Sequence, residues 1–186
     1  HHFPLRTADP QNASSSLAVM AADWAGAFRS TDWGWNAGWL HDIGKAADEF
    51  QAYLMRENGL DDSHYDASGR VNHSGAGAAL AEEKFNHPGV PAGRPLAYVT
   101  AGHHAGLPDW SEADSGNAAL RIRLVEGLHN LERIRPAAER FAENLREVKA
   151  PPAFVTPQNF HLWVRMLYSC LVDADRYDAY CFEVGR

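Results

Sequence analysis

Apolar side chains recur at intervals of three and four residues along most of this chain, which is the spacing of one face of an α-helix. The last such stretch is the clearest, because one apolar stripe runs through Phe160, Trp163, Val164, Leu167 and Leu171. No alternation of apolar and polar residues of useful length occurs, so the sequence predicts no substantial β-strand. The pattern therefore predicts an all-α fold.

Runs rich in glycine, proline and aspartate separate the helical stretches. Helices are predicted over residues 16–29, 46–57, 74–85, 96–103, 118–130, 135–148 and 158–177, and residues 1–15 and 59–69 are expected to be irregular. A chain of 186 residues, 45% of them hydrophobic, is long enough to bury one core, and no change in composition marks a second domain. We therefore expect a single helical domain over residues 1–186.

Charge and cysteine content narrow the class of protein. The net charge of −7 argues against a protein that coats nucleic acid indiscriminately, because such binding needs clustered lysine and arginine. Residues 120–149 differ, with seven basic against five acidic side chains, which indicates a solvated helix face or, alternatively, a groove for a phosphate backbone. The chain has two cysteines, too few to crosslink a domain of this size, which favours the cytoplasm. No apolar run approaches the roughly 20 residues of a membrane span, so we expect no membrane partner.

Two pairs of adjacent residues, His41 with Asp42 and His103 with His104, impose a local constraint on the backbone. Consecutive side chains on an ideal helix point about 100° apart, so each pair can converge on one point only where a helix ends or bends. Gly44 follows the first pair and glycines flank the second. We therefore expect a helix end at both places.

Imidazole nitrogens and carboxylate oxygens are together the ligands that divalent metal ions of intermediate softness prefer. His73 and one aspartate of the last helix, either Asp173 or Asp175, add to the two pairs, and the set is large enough for two ions that share Asp42. Two such ions would hold a phosphate between them, so phosphodiester hydrolysis is the expected reaction. Lys45 follows Asp42 by three residues and is placed to neutralise charge on that phosphate.

Four segments, in this order, resemble the motifs of the HD-domain nuclease of type I CRISPR systems, within the HD superfamily of metal-dependent phosphohydrolases. They are residues 38–45 with the helix that follows at 50–54, then residues 72–78, 102–109 and 169–175. A lone His-Asp pair is weak support for any family. Four motifs in one order, spread over most of the chain, are strong support.

The resemblance implies a single HD-superfamily helical domain that binds one or two divalent transition-metal ions, namely Mn, Fe, Co or Ni, with Mg also possible. The family's last helix carries an acidic residue preceded by alanine, which favours Asp175 over its competitor Asp173. Asp42 and Lys45 are the implied catalytic residues. The implied metal ligands are His41, Asp42, His73, His103, His104 and Asp175.

The implied function is that of a hydrolase, an endonuclease or exonuclease, that cuts single-stranded DNA in antiviral defence. An RNA-guided surveillance complex opens the target duplex, and a helicase domain or subunit is the implied partner. Two alternatives stay open: an HD phosphohydrolase acting on a nucleotide or cyclic nucleotide, and a metal-depleted HD domain used for docking. The second arises because the family has a further histidine in its first helix, whereas no histidine lies between His2 and His41.

Overall fold

A computed structural model describes residues 10–48, 50–52, 74–88, 90–111, 113 and 116–184, and the regular secondary structure in this part of the chain is almost entirely helical. Short 3-10 helices lie at Ile43–Ala46 and Gly116–Ala118, and Asn86–His87 pairs with Val90–Pro91 in a two-residue antiparallel ladder. The prediction of an all-α fold is confirmed. The α-helices are α1 (Pro10–Gly26), α2 (Thr31–Leu40), α3 (Ser74–Phe85), α4 (Gly93–Gly102), α5 (Leu120–Arg133), α6 (Arg135–Ala142) and α7 (Phe160–Glu183).

Several helix boundaries differ from the predicted ones. Helix α1 begins at Pro10, so residues 10–15 are helical and not irregular, because proline suits the first turn of a helix. Helix α6 ends at Ala142 instead of 148. The expected loop over 59–69 and the end of the helix predicted over 46–57 lie outside the described residues. None of the described helices is long and apolar enough to cross a membrane.

The early end of α6 has a specific cause in the side chain of Asn36, which is fully buried on α2. Its amide nitrogen donates to the backbone carbonyl of Arg146 at 2.8 Å, and its amide oxygen accepts from the backbone N–H of Arg146, also at 2.8 Å. The indole N–H of Trp35 donates to the carbonyl of Asn144 at 2.7 Å. Backbone groups after α6 are therefore bonded to α2 instead of continuing a helix.

Helices α1 and α2 pack with their backbones close together. A Cβ atom on Gly38 would lie 2.5 Å from the Cα of Ala18, and one on Gly34 would overlap the carbonyl of Ala21. Helix α7 closes this layer, where Trp163 meets Trp33 edge to face with ring centroids 4.9 Å apart. The C-terminal end of α2 is held by this packing.

Helix α3 crosses the molecule beneath the ends of both α2 and α4. A Cβ atom on Gly77 would overlap the carbonyl oxygen of Leu40 and would lie 2.9 Å from Cγ2 of Thr100. Leu40 immediately precedes His41, and Thr100 lies three residues before His103. The small side chains of α3 therefore allow the two helix ends that carry the predicted metal ligands to lie close to one another.

Candidate metal centre

The first pair of predicted ligands lies where α2 gives way to the 3-10 helix. His41 keeps helical backbone angles, φ −59° and ψ −38°, whereas Asp42 turns to φ −112° and ψ 9°. This change brings Oδ2 of Asp42 to 3.1 Å from Nε2 of His41. The expectation that Gly44 ends the helix is wrong, because Gly44 lies inside the 3-10 helix and the turn occurs at Asp42.

The second pair follows the last residue of α4. His103 keeps helical angles, φ −56° and ψ −27°, and the backbone N–H of Gly106 donates to the carbonyl of Gly102 at 2.8 Å. Gly106 has φ +90°, a left-handed conformation that glycine adopts without steric cost. The predicted helix end between Gly102 and Gly106 is confirmed, and His103 is buried there while the adjacent His104 is exposed.

The same type of hydrogen bond orients the two buried histidines, His41 and His103. Nδ1 of His41 donates to the carbonyl of Gly38 at 2.8 Å, and Nδ1 of His103 donates to the carbonyl of Thr100 at 2.7 Å. Each acceptor lies three residues before its histidine, in the last turn of the helix. With Nδ1 as the donor, Nε2 is the ring nitrogen left to bind a cation, and it lies on the side of Asp42.

Asp42 occupies the middle of the cluster. Its Oδ2 lies 3.1 Å from Nε2 of His41 and 2.5 Å from Nζ of Lys45, and its Oδ1 lies 3.8 Å from Nε2 of His103. The two carboxylate oxygens therefore face different histidines. A carboxylate in this position can contribute one oxygen to each of two neighbouring ions.

Helix α7 brings Asp175 to the cluster, with Oδ1 3.9 Å from Nε2 of His41. Asp173, two residues earlier on the same helix, is exposed and belongs to neither group of potential ligands. Among the described residues, the potential ligand atoms form two groups, each within 4.8 Å, that share Asp42. His73 lies outside the described residues. The two groups are His41, Asp42 and Asp175, and Asp42, His103 and His104.

The cluster separates charged from neutral groups. Burial by itself would raise the pKa of the Asp42 carboxyl, but His41 and Lys45 hold that pKa well below its ordinary value. Burial by itself would lower the pKa of His41, but the adjacent Asp42 outweighs it and raises that pKa. Burial, together with the neighbouring His103, lowers the pKa of His104 to about 4. Asp42 is therefore ionised and His104 is neutral near pH 7.

The contact between His41 and Asp42 indicates whether the residues of the cluster suit a metal ion. With Nδ1 bonded to the carbonyl of Gly38, an unprotonated Nε2 of His41 is an acceptor, and it faces an ionised oxygen of Asp42 that is also an acceptor, 3.1 Å away. This Nε2 is buried and makes no hydrogen bond with the described residues. Two facing acceptors at this distance need a proton or a cation between them. The imidazole and carboxylate donors fit a divalent transition-metal ion.

A helical fold with a His-Asp pair and a His-His pair at two adjoining helix ends defines a domain of the HD class, whose members bind divalent metals. The model of the family described as Cas3, HD domain, matches residues 29–172, and the chain belongs to this family. It is thus a CRISPR-associated HD nuclease domain and a metal-dependent hydrolase by family. No curated protein matches the chain.

Sequence reasoning missed the two backbone carbonyls that orient the histidines, at Gly38 and Thr100. Every residue has a carbonyl, so residue type carries no signal for such a role. Position in the helix does carry a signal. A residue that lies three positions before a histidine, in the last turn of a predicted helix, has a carbonyl that no helical N–H satisfies and that Nδ1 of the histidine can reach. That rule finds both acceptors once the helix ends are placed.

Proposed function

We propose that this domain cuts single-stranded DNA during type I CRISPR interference, with a helicase domain or subunit delivering the strand. The observation that carries the proposal is the pair of ligand groups that share Asp42, with the Lys45 ammonium 2.5 Å from the same carboxylate. Family membership supports a nuclease of a CRISPR system. The arrangement supports phosphodiester hydrolysis as its reaction.

The proposed ligands of one site are His41, Asp42 and Asp175. Those of the other are Asp42, His103 and His104, and His73 is proposed to complete the set. Divalent ions held there supply Lewis acidity, which activates water for attack on phosphorus and stabilises the charge that develops on the phosphate oxygens. Two imidazoles fixed through Nδ1 keep the ligand nitrogens in place without reorganisation.

Lys45 has a role distinct from that of the ligands. An ammonium cannot ligate a metal ion, so its contact with Asp42 places a fixed positive charge beside the proposed metal sites. A phosphodiester gains negative charge on its oxygens as it is cut, and a cation at the edge of the centre stabilises that charge. The Lys45 side chain is 35% exposed, so it lies at the solvent side of the centre.

An open centre favours a strand over a mononucleotide. With the described residues in place, 20% of the Asp42 side chain and 30% of the Asp175 side chain are exposed, and His104 is exposed as well. A mononucleotide enzyme needs an enclosed base pocket, whereas a strand cutter needs an open groove. The exposed edge of the centre therefore supports a polymeric substrate.

The test uses circular single-stranded DNA and the purified chain, stripped with a chelator and reloaded with Mn²⁺, Co²⁺, Ni²⁺ or Mg²⁺. We expect cutting of the circle, which requires an endonuclease, with at least one of these metals. Lys45→Ala is expected to lower kcat by at least about tenfold at unchanged metal content. Asp173→Ala, on the exposed face of α7, is the matched control and should cut like the wild type.

Two results would contradict the proposal. One is the absence of cutting of both circular and linear single strands with every metal. The other is hydrolysis of nucleotides or cyclic nucleotides at a rate far above that of any DNA, which would assign the domain to the HD phosphohydrolases of small substrates.

A further inference from the structure

The loop that begins with the His103–His104 pair also carries an exposed tryptophan that the metal centre does not use. Trp110 lies between α4 and α5 and is 40% exposed. The guanidinium of Arg94, near the start of α4, lies over the indole ring, 4.0 Å from its centroid. Arginine on one face fixes the orientation of the ring and leaves indole surface exposed.

The arginine beneath the ring is itself held by a salt bridge. Nε of Arg94 lies 2.5 Å from Oε1 of Glu82, and Nη2 lies 3.2 Å from Oε2 of the same carboxylate, so the two planar groups pair in a fork. Asn86 donates to Glu82 and accepts from the backbone N–H of Gly93 at 2.9 Å. Because the charge of Arg94 is already paired, its contribution is to hold the indole, not to bind a phosphate.

Backbone hydrogen bonds attach the tryptophan to the start of α5. The carbonyl of Asp109 accepts from the N–H of Leu120 at 2.8 Å, and the carbonyl of Trp110 accepts from the N–H of Arg121 at 3.4 Å. The loop is therefore fixed at both of its ends: at the metal centre through His103 and at α5 through Trp110. A rigid aromatic at a fixed offset from a catalytic centre is the arrangement with which proteins stack the bases of a single strand.

Arg94, which supports the ring, lies near the start of α4, whereas the metal centre lies at the other end of this helix. Arg94 and His103 are nine residues apart along α4, which corresponds to about 14 Å at 1.5 Å per residue. A single strand of a few nucleotides can therefore contact both the ring and the metal centre. Arg123 lies along this path, where its Nη1 donates to the carbonyl of Ala101 at 2.6 Å.

We infer that the Trp110 ring, supported by Arg94, is a base-stacking platform for the single strand that the metal centre cuts. The inference rests on the proposed function for its substrate, because a base is what the flat, exposed indole fits once the centre acts on a DNA strand. Stacking accepts any base, so the platform adds affinity without sequence preference. Because the acidic Asp109 lies beside the ring, the contact at this position is stacking and not an ion pair with phosphate.

The test compares Trp110→Ala with Trp110→Phe and with a matched control, Trp24→Ala. Trp24 is 41% exposed and lies on α1, away from the double-histidine loop. We expect Trp110→Ala to raise the KM for a 20-nucleotide dT strand by about fivefold to 100-fold, with kcat unchanged. Trp110→Phe should recover most of the loss, and Trp24→Ala should match the wild type.

Substrate length separates a platform from a general loss of the site. Hydrolysis of bis(p-nitrophenyl) phosphate, which has no base to stack, should be the same in Trp110→Ala and the wild type. The KM difference between these two proteins should shrink as the strand is shortened from 20 nucleotides and should vanish for strands too short to reach the ring. An equal KM for the wild type and Trp110→Ala on the 20-nucleotide strand, or an equal loss on the small diester, would overturn the inference.

Direct binding distinguishes failure of the inference from failure of the proposed function. Fluorescence anisotropy of labelled dT strands measures affinity without cleavage. If the wild type binds the 20-nucleotide strand in a Trp110-dependent way but does not cut it, the platform stands and the proposed nuclease activity fails. If the wild type cuts the strand and its affinity does not depend on Trp110, the platform fails and the nuclease activity stands.

Discussion

The ends of α2 and α4 both place two adjacent proposed ligands at one site, but the chain turns differently after each helix. Both leave a helical histidine just past the helix, with Nδ1 donating to the carbonyl three residues earlier. The α2 end turns at Asp42 without a left-handed residue, and it carries an ionised carboxylate and Lys45. The α4 end closes through left-handed Gly106 and carries the neutral, exposed His104.

The two halves of the centre are therefore unequal in charge. The α2 end brings a buried anion next to a buried imidazole, and Asp175 lies 3.9 Å from that ring. The α4 end brings two imidazoles with ring centroids 3.9 Å apart and depends on Asp42 for its negative charge. We therefore expect changes at the α2 end to affect metal binding more than changes at the α4 end.

The largest expected effect is that of Asp42→Asn, which removes the one carboxylate common to both halves. An amide keeps the size of the group but loses the charge that both proposed sites share, so activity on single-stranded DNA should fall at least about 100-fold. Metal content measured by mass spectrometry should fall for both ions. Retention of one full equivalent of metal would show that the halves are independent of Asp42.

Gly77→Ala changes the contact between the two halves without changing a ligand. A methyl group there overlaps the carbonyl of Leu40 and crowds Thr100, so the helix ends must separate, at a cost of about 2 kcal/mol in the free energy of unfolding. Gly26→Ala is the control, because its nearest neighbour is the flexible Thr31 hydroxyl at 3.2 Å. Chemical denaturation measures both, and equal stabilities of the two variants would contradict the close packing.

His41→Ala and His104→Ala compare the two ends directly. The buried His41 lies between two carboxylates, whereas water can replace the exposed His104 as a ligand, so His41→Ala should weaken binding at least about tenfold more. Titration calorimetry with Co²⁺ measures the difference. His161→Ala, an exposed histidine at the start of α7, is the control. Equal losses at the two ends would disprove the inequality.

The smallest expected effect is that of Gly106→Ala, which tests the left-handed closure of the α4 end. At φ +90° a Cβ atom is strained, and we expect a loss of about 1 kcal/mol in the free energy of unfolding. Gly106→Asn should cost less, because asparagine tolerates positive φ better than alanine. Thermal denaturation checks the order. A Gly106→Ala variant as stable as the wild type would remove this difference between the two ends.

Much of the fold and of the candidate site could be predicted from local patterns. Helix α3 runs over Ser74–Phe85, the range predicted from its small and apolar residues, because its pattern is bounded by clear breaks. The start of α1 was predicted less well, because a proline such as Pro10 usually interrupts a helix and its place in the first turn is not evident from the local pattern. The stop of α6 could not be predicted, because Asn36, more than a hundred residues away in sequence, holds the chain after it.

The sequence by itself determined that two adjacent ligand pairs lie at helix ends, because successive helical side chains diverge by about 100° and local spacing is enough to exclude a mid-helix position. The residues alone left Asp173 and Asp175 open and the family resemblance favoured Asp175, but only the tertiary structure brought Asp175 to His41, since that depends on how α7 is rotated about its axis against the core. It alone also brought Arg94 under Trp110, 16 residues later in the chain. Local spacing was enough to place these two ligand pairs at helix ends, whereas packing between distant segments decides which side chains meet there.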